Sequence, residues 1–255
     1  MKIATWNINS VRLRLDLVLG FLHKADIDVL CLQETKTQDM HFPGETFASA
    51  GWQHQAIRGE KSYNGVAIIS RQPLVETIYM NWAGKTDCRH IWVRTQDGIG
   101  LHNFYVPAGG DIADINENPK FAHKLEFIKE MTSYFGANKP HAEILVGDLN
   151  IAPLETDVWS SKQLLKVVSH TPVETNGLKR LMVDGGWHDA VRTYFGEEQK
   201  LYSWWSYRAR DWAASDRGRR LDHMWVSHDL VPKILEAEIH RDLRGEDKPS
   251  DHVPI

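Results

Sequence analysis

The sequence predicts an α/β chain whose helices pack outside two mainly antiparallel sheets. Two observations carry that expectation. Apolar runs of strand length recur along the whole chain, some joined by hairpin dipeptides, and only a few stretches show helical spacing. At about 150 residues per domain, 255 residues fall short of two domains, and no repeat or Gly/Ser/Pro linker divides them, so one domain over 1–255 is expected.

Taken in order, Ile3-Ala4-Thr5-Trp6-Asn7-Ile8 reads as a short strand running into polar residues. Leu13, Leu17, Val18, Phe21 and Leu22 then follow helical spacing. The apolar run 28–32 is a strand that ends in Gln33-Glu34-Thr35, and 65–70 is another, preceded by the turn dipeptide Asn64-Gly65. Segments 90–95 and 101–106 form a hairpin through Asp97-Gly98. Residues 117–136 make one amphipathic helix on Phe121, Leu125, Ile128 and Phe135, closed by Gly136. A buried strand, 143–146, runs into Gly147-Asp148-Leu149-Asn150, and strand-like segments recur at 201–205, 221–226 and 235–240.

Composition narrows the class. With 42% hydrophobic and 25% charged residues, disorder is excluded. No apolar run approaches the roughly 18 residues of a membrane span, and no targeting pattern opens the chain. The two cysteines, Cys31 and Cys88, form no CxxC pair; Cys31 reads as a buried thiol, and a reducing cytoplasm is the expected compartment. The formal charge of −4 argues weakly against a polyanionic partner, but charge distribution matters more. From Lys200 to Arg220, six basic residues (Lys200, Arg208, Arg210, Arg217, Arg219, Arg220) outnumber Asp211 and Asp216. Tyr202, Trp204, Trp205, Tyr207 and Trp212 are interleaved with them. The segment fits either a solvated aromatic loop beside a core strand or a nucleic-acid surface.

Acidic and amide residues sit repeatedly where an apolar strand stops: Asn7, Glu34, Asp148 with Asn150, Asp222, and Asp251-His252. Each alone reads as a turn former or cap. Together, strands ending on one rim would gather them into a pocket whose oxygen ligands suit Mg²⁺ or Mn²⁺. Asp222 is a candidate to fix the tautomer of His252. A Gly-x-Ser-x-Gly elbow, a zinc cluster and a Walker-type loop are all absent from the sequence.

Six motifs then occur in one order: Thr5-Trp6-Asn7-Ile8-Asn9, Leu32-Gln33-Glu34-Thr35-Lys36, Tyr63-Asn64-Gly65-Val66-Ala67, Gly147-Asp148-Leu149-Asn150-Ile151-Ala152-Pro153, Arg220-Leu221-Asp222-His223 and Pro249-Ser250-Asp251-His252. Across essentially the whole chain they resemble the exonuclease III family of abasic-site endonucleases, within the endonuclease/exonuclease/phosphatase superfamily. Tyr105-Val106-Pro107, Ser203-Trp204-Trp205-Ser206-Tyr207-Arg208 and Lys248-Pro249-Ser250 narrow the resemblance to the DNA-repair branch. They argue against a lipid, inositol or RNA-tail phosphatase, and the full set of ligands argues against a binding module that has lost catalysis.

The resemblance implies a four-layered α/β sandwich and a Mg²⁺-dependent phosphodiesterase, with Mn²⁺ as an alternative ion. Its substrate would be duplex DNA with abasic sites or damaged 3′ ends, cut by an enzyme working as a monomer and not at a membrane. It implies that Glu34 is the principal metal ligand, with Asn7 and Asp251 near the same ion. Asp148, Asn150 and His252 would border that ion. Asp148 would orient or deprotonate water, Asn150 would hold the scissile phosphate, and His252, oriented by Asp222, would polarise it. Tyr105 would contact the phosphate or assist the leaving oxygen. Trp204 and Leu221 would wall a sugar pocket, and Arg89, Lys120, Arg208 and Arg219 would meet backbone phosphates. Two departures stand out: Ser10 replaces a Gly, and Trp205-Ser206 replaces Phe-Asp. The resemblance also implies a closing strand continuing beyond Ile255.

Overall fold

The computed structural model of the chain describes residues 1–255. One sheet contains β1 (Ile3–Asn7), β2 (Val29–Gln33), β3 (His54–Glu60) and β4 (Tyr63–Ser70), in the order β1-β2-β4-β3. The other contains β5 (Leu74–Ile78), β6 (His90–Thr95), β7 (Gly100–Tyr105), β8 (Glu143–Asp148), β9 (Trp187–Asp189) and β10 (Asp222–Ser227), in the order β5-β6-β7-β8-β10-β9. Pairing is antiparallel except between β1 and β2 and between β7 and β8.

Alternation along the strands builds the layers. In β2, Val29 and Cys31 join β8's Ile144 and Val146 in a core between the sheets, while Leu30 and Leu32 face outward. The outward face meets α1 (Leu15–Lys24) and α2 (Gly44–Ser49) through Val18, Phe21, Leu22 and Phe47. Leu145 of β8 points the other way, into α3 (Pro119–Ala137) and α5 (Pro172–Gly185), where Phe127, Ile128, Leu178 and Leu181 receive it. Each such buried side chain contributes about 1.5–3 kcal/mol. A one-residue slip of β8 would exchange its two faces, so the layers also fix register. The result is a four-layered α/β sandwich. Three short helices, α4 (Ser161–Leu164), α6 (Ala190–Phe195) and α7 (Trp212–Ser215), lie in connections.

A polar clasp joins the sheets through their middle. Buried Asn103 of β7 donates to the Leu32 and Ala67 carbonyls (3.0 Å each) and accepts from Gln33 Nε2 at 2.7 Å.

Several sequence expectations are corrected. Segment 201–205 is no strand; it makes isolated bridges through Trp204 to Arg219 and His252. Segment 235–240 forms no strand; its one backbone bond to a distant segment is the His240 N–H to the Pro254 carbonyl (3.0 Å), and Leu235 is 91% exposed. Asn64-Gly65 lies inside β4, and Lys61 and Ser62 make the turn instead. In α3 the stripe facing the core runs through Phe121, Lys124, Phe127, Ile128, Met131 and Phe135, with Leu125 beside it. Asp222 starts its strand rather than ending one.

Candidate active site

The strand ends converge on one rim. Asn7 closes β1 beside Gln33 of β2, which hands the chain to Glu34. Tyr105 and Asp148 are register partners at the ends of parallel β7 and β8. Asp222 pairs with Asp148 because β10 runs antiparallel, so its first residue reaches the same rim. Gly147 makes this possible: a Cβ there would lie 1.9 Å from the Phe104 carbonyl oxygen, so only glycine lets β8 approach β7 so closely. The last segment lies along β1 and reaches Asp222 of β10 through His252. Trp6 Nε1 donates to the His252 carbonyl (2.9 Å), Ser250 Oγ to the Asn7 carbonyl (2.6 Å), and Thr5 and Ile255 exchange backbone hydrogen bonds.

Three connected groups result. Asn7 Nδ2 donates to Glu34 Oε1 and Asp148 Oδ2, both at 2.9 Å. Glu34 also accepts from the Tyr105 hydroxyl (2.8 Å) and pairs with Lys36 Nζ (2.8 Å). Asp148 accepts at Oδ1 from the Asn150 backbone N–H (2.9 Å) and at Oδ2 from Asn150 Nδ2 (3.1 Å). His252 Nδ1 meets Asp222 Oδ2 at 2.8 Å, while its Nε2 lies 3.7 Å from Asp148 Oδ2. Ser203 Oγ donates to the same Asp222 oxygen at 2.6 Å. Asp251 accepts from Asn9 Nδ2 (3.1 Å) and from Trp204 Nε1 (3.0 Å).

The electrostatics follow from that wiring. Burial first, then Asp222 and Glu34, push the Asp148 carboxyl up, against His252 and Asn7. Burial opposes charge on His252, but Asp222 and Asp148 outweigh it and raise the imidazole, so the shared proton sits on the histidine. For Glu34, Lys36 and the donors from Asn7 and Tyr105 overcome burial and hold the carboxyl below its ordinary value. Burial, then Glu34 and Asp148, keep the Tyr105 phenol protonated. Five residues here carry left-handed backbone without being glycine: Asn9 (φ 47°), Ser10 (φ 89°), Glu34 (φ 49°), Lys36 (φ 50°) and Asn150 (φ 55°). Such conformations persist where surrounding contacts over-determine them.

The proposed DNA-contact residues divide. Trp204 and buried Leu221 come together in one small cluster with Ala152, Val158 and Leu164. Lys120 is exposed near the start of α3, and Arg208 is exposed beside Tyr207. Arg89 is buried, bound to Asp87 (2.6 Å) with its guanidinium over the Tyr105 ring (4.7 Å). Arg219 is half-buried over Trp204 and donates to Ser169 Oγ at 2.7 Å. The 200–220 segment is therefore not a single basic surface: Arg220 is fully buried on Asp157 and Asp189, and Trp205 is buried.

Sequence reasoning missed Asn9, Lys36 and Ser203 as site residues, although all three lie inside the quoted motifs. It also missed an open polar cavity of about 290 Å³ beside Lys36, into which Arg12, His41 and Lys61 bring further basic side chains. No signal marked those three.

Residues 4–252 match the Endonuclease/Exonuclease/phosphatase family. The chain belongs to that family. Within it, the chain is 30% identical to exodeoxyribonuclease III of Haemophilus influenzae over all of its own length and 98% of the relative's. An AP endonuclease structure from Archaeoglobus fulgidus superposes with TM-score 0.92 at 29% identity, covering all of this chain and 97% of that one. A 3′-5′ exonuclease from Neisseria meningitidis gives TM-score 0.91 at 30% identity, with the same coverage. The match places this chain in the exonuclease III branch of the endonuclease/exonuclease/phosphatase family.

Proposed function

We propose that this chain is a divalent-metal-dependent phosphodiesterase of DNA repair, cutting duplex DNA 5′ to abasic sites and trimming or unblocking 3′ ends. The observation that carries the reading is the placement of Asp148 3.7 Å from Nε2 of His252, whose Nδ1 meets Asp222, on the rim that also holds Glu34. The kinship with an exodeoxyribonuclease III, an AP endonuclease and a 3′-5′ exonuclease supports the substrate.

The residues present fit a hard cation. Glu34, Asp148 and Asp251 offer carboxylates, Asn7 and Asn150 offer amides, and the carboxylate of Glu34 is held ionised. Asp148, Asp222 and His252 also cluster closely enough to hold an ion. Glu34, Asn7 and Asp251 would hold the ion, with Asp148, Asn150 and His252 bordering it. A bound Mg²⁺ or Mn²⁺ would stabilise negative charge on the phosphate oxygens and the leaving oxygen.

The chain's own groups do the rest. Asp148, buried and raised in basicity, takes the proton of the attacking water or aligns it. His252 presents its charged Nε2 to the phosphate while Asp222, itself held by Ser203, fixes the ring. Asn150 spends its two Nδ2 hydrogens on Asp148 and the Val106 carbonyl, so it orients Asp148 rather than donating to the phosphate, and the Tyr105 hydroxyl is a proton source for the leaving oxygen. Trp204 and Leu221 wall a pocket for the flipped sugar. Arg12, Lys36 and Lys61 line the open cavity, and with Arg89, Lys120, Arg208 and Arg219 they would meet a DNA backbone. The site draws on residues from 7 to 252, which supports one unit spanning 1–255; the enzyme so proposed works as a monomer in a reducing cytoplasm.

The test is incision of a duplex oligonucleotide carrying one abasic-site analogue, with and without EDTA, beside a recessed 3′ end. Metal-dependent cutting 5′ to the lesion, lost in Asp148→Asn, is expected. No cutting of either DNA in Mg²⁺ or Mn²⁺ would overturn the reading.

A further inference from the structure

Behind the rim, α3 and the start of α5 bury an ion pair that the proposed chemistry does not use. Lys124 and Glu174 are both 0% exposed, and Nζ meets Glu174 Oε1 at 2.5 Å. The remaining donors of the ammonium reach the Asn150 carbonyl (2.8 Å) and the Ala108 carbonyl (3.2 Å). Three donors and three acceptors leave it fully satisfied. Glu174 is satisfied as well, accepting from the Ser169 and Thr171 backbone and from Thr171 Oγ1 (2.6 Å).

The two carbonyls belong to the two loops that present Tyr105 and Asn150. The first loop leaves β7 at Tyr105 and reaches Ala108 in three residues; the second leaves β8 at Asp148 and turns at Asn150 in left-handed backbone. They also touch directly, since Asn150 Nδ2 donates to the Val106 carbonyl at 2.9 Å. A lysine on an interior stripe is costly unless its partners are specific. Here those partners are the backs of two loops whose fronts carry the reacting groups.

We infer that Lys124 is a positioning residue: from behind, its ammonium clamps the 105–108 and 148–150 loops together and sets Asn150 and Tyr105 in reacting geometry. Glu174 balances its buried charge, while the two carbonyls hold the ammonium in place. This rests on the nuclease reading and adds a residue that touches no substrate.

Lys124→Met and Glu174→Gln separate the roles. Both disturb the ion pair and lower Tm, but Glu174→Gln leaves nitrogen donors facing both carbonyls. At a temperature well below either Tm, kcat on abasic DNA should fall about tenfold to a hundredfold in Lys124→Met with KM little changed. In Glu174→Gln it should stay near wild type. Amide hydrogen exchange gives a readout independent of activity. Val106, Leu149 and Asn150 N–H groups, which bond to Asp148 and Leu221, should exchange faster in Lys124→Met only. If Lys124→Met does not fold, the double Lys124→Met/Glu174→Gln variant removes the unpaired charge and is expected to show the same kcat loss and exchange. Equal kcat in the two single variants, or wild-type exchange in Lys124→Met, would overturn the inference. If wild type cuts no DNA, the nuclease reading falls, and the exchange result alone decides whether Lys124 clamps the loops.

Discussion

Two buried aspartates show how one residue type takes opposite roles within a few residues of each other's partners. Asp148 sits on the rim between Asp222 and Glu34, and burial with those carboxylates pushes it up. Asp157 is equally buried, but Arg220 grips it through Nε (2.6 Å) and Nη2 (3.1 Å), and Arg192 Nη2 reaches it at 2.5 Å. For Asp157, burial is outweighed by Arg220 and then Arg192, and its carboxyl lies below the ordinary value. The histidines repeat the contrast. His252 is raised by two carboxylates, whereas burial and then Arg220 push His223 down to about 4. Arg220 and Asp222 are two residues apart, so a short stretch of chain separates a charge-balanced anchor from a rim that keeps unbalanced charge. Balance makes structure; imbalance, held in place by neighbours, makes reactivity.

The comparison breaks first at its two carboxylates. Asp148→Asn should lower kcat by about 10²–10⁴-fold while Tm holds or rises, because it removes a base and a repulsion together. Asp157→Asn should do the reverse: denaturant unfolding should show a loss of about 3–5 kcal/mol, because Arg192 loses its carboxylate and Arg220 keeps only Asp189, with activity retained in the fraction still folded. A Tm loss in the first or a kcat loss at full folding in the second would erase the distinction.

The pH dependence of stability sharpens it. His223 titrates near 6.5 in the unfolded chain and near 4 when folded, so below pH 6.5 the unfolded state binds a proton that the folded state refuses. Its contribution is intact above pH 6.5 and falls by about 3 kcal/mol by pH 4. Buried His90 and His102, also lowered chiefly by burial, add to the same acid loss. In urea titrations at stepped pH, His223→Asn should flatten that slope by about 1.4 kcal/mol per pH unit. An unchanged slope would show that His223 already carries its charge in the folded chain. The smallest effect expected is in Ser203→Ala. It removes the hydroxyl that donates to Asp222 and accepts from the Leu221 and Asp222 N–H groups (3.0 and 3.1 Å), costing about 1–3 kcal/mol of stability and a modest part of kcat.

The rim was legible in the sequence because its residues follow apolar runs that have nowhere to be but inside a sheet. Asn7, Glu34 and Asp148 are read that way, and their convergence follows from strands ending on a common edge. Asp222 was found by its motif, while its placement at the start of a strand needed the antiparallel pairing with β8. Lys124 was hidden because a lysine on a helix reads as solvated until its neighbours on the stripe prove buried. Asp157, in a short 3-10 turn with no periodicity, gave no signal that two arginines distant in sequence would enclose it. Segment 235–240 shows the opposite failure: alternation specifies which face would be buried but supplies no partner, and without a ladder there is no strand.

Asn7 ends a strand of one sheet and Glu34 follows another of its strands, Tyr105, Asp148 and Asp222 belong to the other sheet, and the Gln33–Asn103 clasp holds the two together. Neither sheet alone carries a working set of groups. A chain still emerging from synthesis, or one half-melted by heat, therefore keeps the groups of the rim apart. Cleavage becomes available only once the two halves have met, so the fold itself acts as a safety catch.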